Sequence, residues 1–300
     1  MKILLLGVNG QVGWECQRSL SLLGELEAHD RSTADFQNFQ QLRDIVRDSK
    51  PDIIVNAVAY TAVDQAETYI ESAYQVNREA VALLAEEANK LNATLVHYST
   101  DYVFDGKKSG RYSEDDLTNP QSVYGKSKLD GEQAILKSGC RHFILRTSWV
   151  YASRGNNFAK TMIKLATERD ELKVVADQFG APTSAELIAD VTAQLVMRIH
   201  QETDFTEKNS GIYNLVASGE ASWHDFAKYV LEKSAVLGIT LKVQSNEVEA
   251  ITTAEFPRPA VRPSNSKLDT KKLKSLLEIE LPDWRFHVER MVTEYIENQS

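Results

Sequence analysis

Cysteine is scarce in this 300-residue chain, which has only Cys16 and Cys140. Two cysteines exclude a disulfide framework and, with no export signal, point to the cytoplasm. The opening Met1-Lys2 and apolar Ile3 to Val8 run out at Asn9-Gly10-Gln11 with no small-residue cleavage site, so they read as a buried first strand rather than a leader. No apolar run approaches the ~20 residues of a membrane span. Positive charge is in deficit, 34 Lys+Arg against 43 Asp+Glu for a net charge of −9. That balance argues against a broad nucleic-acid surface and against an anionic membrane surface. Metal signatures are missing too: His29, His97, His142, His200, His224 and His287 are scattered, with no H-E-x-x-H and no Cys/His set.

What remains is 42% hydrophobic, enough for a sizeable core. At about 150 residues per domain, the length suggests two domains. Apolar runs at Ile3 to Val8, Asp52 to Val58, Thr94 to Ser99 and His142 to Tyr151 read as strands covered on both faces. A shorter strand ends near Asp30. Between them, Gln11 to Leu23, Gln40 to Arg47, Glu67 to Leu91 and Ser122 to Leu136 carry helical spacing. This alternation predicts an α/β, doubly wound parallel (Rossmann) sheet over residues 1–150. Residues 151–300 form a second, smaller α/β domain, with the return of segments within 170–215 to the first left open. There, helices are expected over Asn156 to Ala166, Ser184 to His200, Trp223 to Leu237 and Leu281 to Ile296. Strands are expected at Lys173 to Val175 and Gly211 to Val216. Pro257, Pro259 and Pro263 make Thr252 to Ser266 a loop.

Gly7, Gly10 and Gly13 follow the first strand as G-x-x-G-x-x-G and open the first helix, with Gln11 and Val12 between them. Missing side chains let a pyrophosphate approach the backbone, and the helix amino terminus offers free N–H groups. Asp30, at the end of the second strand, suits a ribose 2′-hydroxyl and hence NAD. Arg31 beside it suits a 2′-phosphate and hence NADP, so the pair leaves NADH or NADPH open. Asp35 and Phe36 are placed to lie against an adenine, and Ala59, Tyr60 and Thr61 to line the path toward a nicotinamide.

Tyr124 and Lys128 form Y-x-x-x-K, which puts both on one helix face. An ammonium near a phenol favours the phenolate and lowers its pKa, matching it to acid/base work. Thr100, at the end of the preceding strand, also reaches the carboxyl edge of the sheet and can hydrogen-bond a carbonyl oxygen.

These motifs resemble the extended short-chain dehydrogenases/reductases, and within them the dTDP-4-dehydrorhamnose reductase family. The similar segments are GVNGQVGWE (7–15), VNAVAYTAVDQAE (55–67), HYSTDYVFDG (97–106), YGKSKLDGE (124–132), LRTSWVYASRGNNFAKTM (145–162), DQFGAPTSAELIAD (177–190), YNLVASG (213–219) and RPSNSKLDTKKL (262–273). The resemblance implies NAD(P)H-dependent reduction of a dTDP-linked 4-keto sugar to dTDP-L-rhamnose for cell-surface polysaccharide. Tyr124 would protonate the 4-oxygen, Thr100 polarise the carbonyl, and Lys128 tune the tyrosine and anchor the cofactor. Asp101 would touch a sugar hydroxyl, Trp149 cover the sugar, and Arg262 and Ser266 meet the diphosphate. It implies residues 151–300 as the sugar-nucleotide domain. It also implies a Mg²⁺ ion at Glu15, Glu186 and Glu294 in a homodimer. Related dehydratases carry Asp-Glu after the threonine; here Asp101 is followed by Tyr102, so the elimination glutamate is missing. An epimerase and a non-catalytic NADP-binding regulatory subunit are the remaining alternatives.

Overall fold

The computed structural model describes residues 1–202 and 204–298. Strands β1 (Lys2–Leu6), β2 (Glu25–His29), β3 (Ile53–Asn56), β4 (Thr94–Thr100), β5 (Arg141–Thr147) and β6 (Gly211–Asn214) form one sheet in the order β6-β5-β4-β3-β1-β2. Every pairing in it is parallel. Successive strand residues face opposite sides, and the sequence makes both sides apolar. Ile3, Leu5, Ile53, Val55, Val96, Phe143 and Leu145 pack with α1 (Gln11–Leu20), through Cys16 and Leu20. Leu4, Leu6, Ile54, Leu95 and Ile144 face α2 (Phe39–Ser49), α3 (Ala80–Leu91) and α4 (Val123–Ser138).

The chain leaves β1 for the edge strand β2 and then crosses back to β3 on the other side of β1. The loops after β1 and β3 therefore diverge, opening a crevice at the carboxyl edge, where ligands bind in such sheets.

Downstream come α5 (Phe158–Glu168), α6 (Ala185–Gln201), α7 (Trp223–Val236), α8 (Lys271–Leu277) and α9 (Trp284–Glu297). Helix α6 packs on α1, where Asp190 accepts from Ser19 Oγ at 2.7 Å and from Arg18 Nη2 at 2.9 Å. With β6 paired to β5, α6 and β6 both lie in the layers of the main sheet. Helices α5 and α7 build a separate core from Met162, Leu172, Val174, Leu231, Leu241 and Val243. Its short parallel ladder joins Lys173–Val175 to Glu249–Ile251. Among the described residues, no helix is long and apolar enough to cross a membrane.

The structure departs from the sequence expectations at the functional edge. The strand expected to reach Val58 ends at Asn56, because the Asn56 side chain accepts from Val58 N at 3.0 Å and turns the chain away. The strand expected over 142–151 stops at Thr147; Val150–Tyr151 pairs elsewhere, with Thr183–Ser184. The single helix expected over 67–91 is instead three pieces, Ile70–Tyr74, a π-helical turn Gln75–Glu79, and α3.

Candidate active site

The glycine turn is sterically obligatory. Gly7 has φ +91°, and a Cβ there would stand 2.9 Å from Val58 Cγ2. A Cβ on Gly13 would lie 2.1 Å from the Gly7 carbonyl oxygen. Gly10 caps α1 without a side-chain hydrogen bond. The first N–H groups of the helix, from Gln11 to Gly13, therefore face the crevice with the positive end of the helix dipole. This cradle fits a pyrophosphate.

Asp30 lies just past β2 and is held ionised. Its Oδ1 accepts from Ser32 Oγ at 2.6 Å and Ser32 N at 2.9 Å, and its Oδ2 from Asn9 Nδ2 at 2.8 Å. These bonds, the Ser32 hydroxyl foremost, keep its pKa below the ordinary value. Arg31 is exposed. Asp35 is half-buried beside it, but Phe36 is 3% exposed and packs in the core with Leu4 and Leu42. The Phe36 ring thus has no open face for an adenine, contrary to the sequence expectation.

Residues Ala59, Tyr60 and Thr61 leave β3 along the crevice, and Asn77 pins them. Asn77 Oδ1 accepts from Tyr60 N at 2.8 Å, while its Nδ2 donates to Tyr60 O at 3.1 Å and Ser127 Oγ at 3.0 Å. Asn77 belongs to the π-helical turn, and Gly131 of α4 lets that turn approach: a Cβ on Gly131 would lie 2.2 Å from Asn77 O. Sequence reasoning missed Asn77. A wholly buried asparagine in a helical pattern was its only signal.

Thr100 ends β4 directly opposite Thr147 of β5. Ser122 caps α4 by accepting from Gly125 N at 3.1 Å, starting the helix so that Tyr124 sits in its first turn. The Tyr124 phenol is buried near Thr100, and burial pushes its pKa up to about 12 against the opposing effect of the Thr100 hydroxyl. Lys128 is 1% exposed. Its Nζ donates to Tyr98 O at 2.7 Å and faces His97 Nε2 at 3.2 Å, and burial draws it down to about 8. The nearest partners of Lys128 Nζ, Tyr98 O and His97 Nε2, both lie on β4.

Thr100 Oγ1 also donates to Asp101 Oδ1 at 3.1 Å. Asp101 is buried, which pushes it up to about 6 against the opposing hydroxyls of Ser266 and Thr100. The loop over 262–266 therefore reaches the end of β4. Arg262, however, pairs with Asp64 Oδ2 at 2.9 Å, and Asp64 Oδ1 also accepts from Ala260 N at 3.2 Å. Asp64 thus ties the two halves of the crevice together across a long stretch of chain. Trp149 follows β5 with φ +50°, an uncommon backbone state for a bulky residue. Its indole stacks on Trp223 at 3.6 Å between centroids, and Gly180 leaves the room it fills.

Glu15, Glu186 and Glu294 lie near one another, since the latter two raise the pKa of Glu15 after burial and Arg18 have acted. Glu186, however, is forked by Arg290 at 2.6 and 3.1 Å, and Glu15 lies 3.6 Å from Arg18. Among the described residues, no group of three acidic, His or Cys side chains is spaced to hold a metal. Within one chain Glu186 and Glu15 are engaged by Arg290 and Arg18, so the Mg²⁺ set expected at a homodimer contact is not assembled by this chain alone.

Residues 1–297 match the family model described as RmlD substrate binding domain. The chain is 48% identical over 298 residues to the dTDP-4-dehydrorhamnose reductase of Escherichia coli, covering 98% of each. It is 47% identical to that of Salmonella typhimurium, with the same coverage. It belongs to the dTDP-4-dehydrorhamnose reductase family. Among solved structures, the dTDP-4-dehydrorhamnose reductase of Bacillus anthracis in complex with NADP superposes with a TM-score of 0.87 at 33% identity, covering 98% of this chain and 99% of that one. The UDP-glucose 4-epimerase of Thermus thermophilus, at 16% identity and a TM-score of 0.80, shares the fold. For this reductase family, the Rossmann sheet seen here is the expected scaffold.

Proposed function

We propose that the protein reduces the 4-keto group of dTDP-4-dehydro-β-L-rhamnose to give dTDP-L-rhamnose, with NADPH or NADH as reductant. The observation that carries this is Thr100 at the end of β4 and the buried Tyr124 in the first turn of α4, brought together at the carboxyl edge one strand over from the β1–β3 crevice. The N–H groups of Gln11, Val12 and Gly13 hold the cofactor pyrophosphate, with Gly7 and Gly10 leaving room for it. Asp30 and Arg31 meet the adenosine ribose, Asp35 the adenine edge, and Ala59 to Thr61 the path inward. Bound there, a reduced nicotinamide supplies hydride.

The chain's own residues do the rest. Turning its hydrogen away from Asp101 Oδ1, Thr100 Oγ1 donates to the substrate 4-oxygen and holds it beside Tyr124 Oη. As negative charge gathers on that oxygen, Tyr124 gives it its proton. A phenol with a pKa near 12 still suffices, because an alkoxide approaches hydroxide in basicity (water pKa ~15.7). Lys128, four residues along α4, faces the nicotinamide ribose. Asp101 accepts from a sugar hydroxyl. The Trp149 indole, locked by Trp223, offers its remaining surface to the sugar ring. Residues 158–182 and 216–298 form the sugar-nucleotide domain, and the Asp64 pairing to Arg262 holds its loop at the crevice. Such an enzyme works on a soluble nucleotide sugar, which suits a cytoplasmic address.

The test is oxidation of NADPH by the purified protein with dTDP-4-dehydro-6-deoxy-L-mannose as acceptor. The expected result is stoichiometric reduction, with a loss of about 10²-fold or more in kcat for Tyr124→Phe. Equal rates in the two proteins remove Tyr124 as the acid. No turnover in either favours the regulatory-subunit reading.

A further inference from the structure

The Lys128 amine is reached by a chain of hydrogen bonds whose donors and acceptors can be assigned one by one. The backbone N–H of Val58 can only donate, and it points at Asn56 Oδ1 at 3.0 Å. The other end of the Asn56 amide is therefore Nδ2, a donor, and it faces His97 Nδ1 at 3.1 Å. His97 Nδ1 must accept. A neutral imidazole that accepts at Nδ1 carries its hydrogen on Nε2. That Nε2–H points at Lys128 Nζ, 3.2 Å away. An ammonium has no lone pair to receive it.

We infer that Asn56 and His97 are positioning residues that stabilise the uncharged form of Lys128 by presenting an N–H donor to its nitrogen. The amine keeps two hydrogens, one bound to Tyr98 O at 2.7 Å and one left for the crevice. The surroundings agree. His97 is 0% exposed, and burial, then Lys128, holds its pKa well below the usual value, so it is neutral. One turn along the same face of α4 stands the Glu132 carboxylate, which opposes the effect of burial on the amine. Its oxygens are taken by Arg146 Nε at 2.9 Å, Arg146 Nη2 at 2.7 Å and the Ser99 hydroxyl. Burial brings Lys128 to about 8, within reach of neutral pH. An incoming negative diphosphate would then recharge it. This last consequence rests on the reductase reading; the hydrogen-bond assignment does not.

The experiment uses the whole protein labelled with ¹⁵N histidine and ¹³Cε lysine, assigned with His97→Gln and Lys128→Met. In the wild type, His97 is expected as the Nε2–H tautomer with a bare Nδ1. Finding Nδ1–H, or an imidazolium, overturns the inference. Asn56→Asp keeps the acceptor for Val58 N and turns the other end into an acceptor. His97 should then switch to Nδ1–H, its Nε2 should accept from an ammonium, and the Lys128 titration should rise by about one pH unit or more. An unchanged tautomer and titration in this variant also overturn the inference. If Asn56→Asp fails to fold, the wild-type tautomer still decides. Neither readout involves the sugar, so failure to reduce it with the tautomer intact rejects the proposed function alone.

Discussion

Replacing Gly13 by alanine tests the phosphate cradle at its tightest point. The new methyl would stand 2.1 Å from Gly7 O and 2.6 Å from Gly7 C, both backbone atoms that no rotamer change can move. Helix α1 and the turn after β1 must separate by about 1 Å, an overpacking strain of roughly 1–3 kcal/mol. The melting temperature should fall by several degrees. The same shift moves the N–H groups of Gln11 to Gly13 away from a bound diphosphate. Losing one charge-assisted hydrogen bond is worth about 1.5–3 kcal/mol, so NADPH affinity should drop by roughly tenfold or more. Gly10 supplies the contrast. A Cβ there meets only Gly7 O, at 3.3 Å, on a backbone of φ −76° that alanine adopts freely. Gly10→Ala should therefore melt within about 0.5 kcal/mol of wild type while still binding NADPH less tightly, because its methyl occupies the phosphate approach. Thermal melts and fluorescence titration with NADPH check both variants. Wild-type melting and binding in Gly13→Ala would refute the reasoning, as would equal stability losses in the two variants.

Two further predictions concern buried charge. Glu132→Gln leaves the Arg146 guanidinium, 3% exposed in its side chain, without its forked carboxylate. It should cost about 3–5 kcal/mol, whereas replacing both partners by apolar residues should cost much less; chemical denaturation showing a loss under ~1 kcal/mol for the single change would contradict this. Asp101 is raised from 3.8 to about 6 by burial. Its stabilising contribution is thus present below the unfolded value and lost as pH rises through about 6, a cost near ~3 kcal/mol at neutral pH. Asp101→Asn should accordingly be more stable than wild type above pH ~7, with the gain vanishing below pH ~4, and should lose activity; a gain independent of pH would show that the carboxyl is not the cause.

Much of the scaffold was legible because its signals are local. The all-apolar runs over 3–6 and 53–55, with Leu95-Val96 in the next, can only be strands buried on both faces, and the glycine spacing at 7, 10 and 13 reports backbone clearances within a single turn. Tyr124 and Lys128 share a helix face by periodicity alone. Failures came where one residue overrides a pattern. Asn56 ends β3 by binding Val58 N, and the π-helical turn at Gln75–Glu79 interrupts a helix whose apolar spacing continues through it. Phe36 was assigned to a ligand and belongs to the core, because its neighbours Leu4 and Leu42 lie in other elements.

The sequence alone determined the parallel α/β layering, the phosphate cradle and the order of the site residues, since each depends on spacings of a few residues along the chain. Only the tertiary structure decided what each ionisable group faces: Lys128 toward His97 and Tyr98, Arg262 toward Asp64, Glu186 toward Arg290. Charge state depends on burial and on partners brought from distant segments, and no local pattern of residues carries that information.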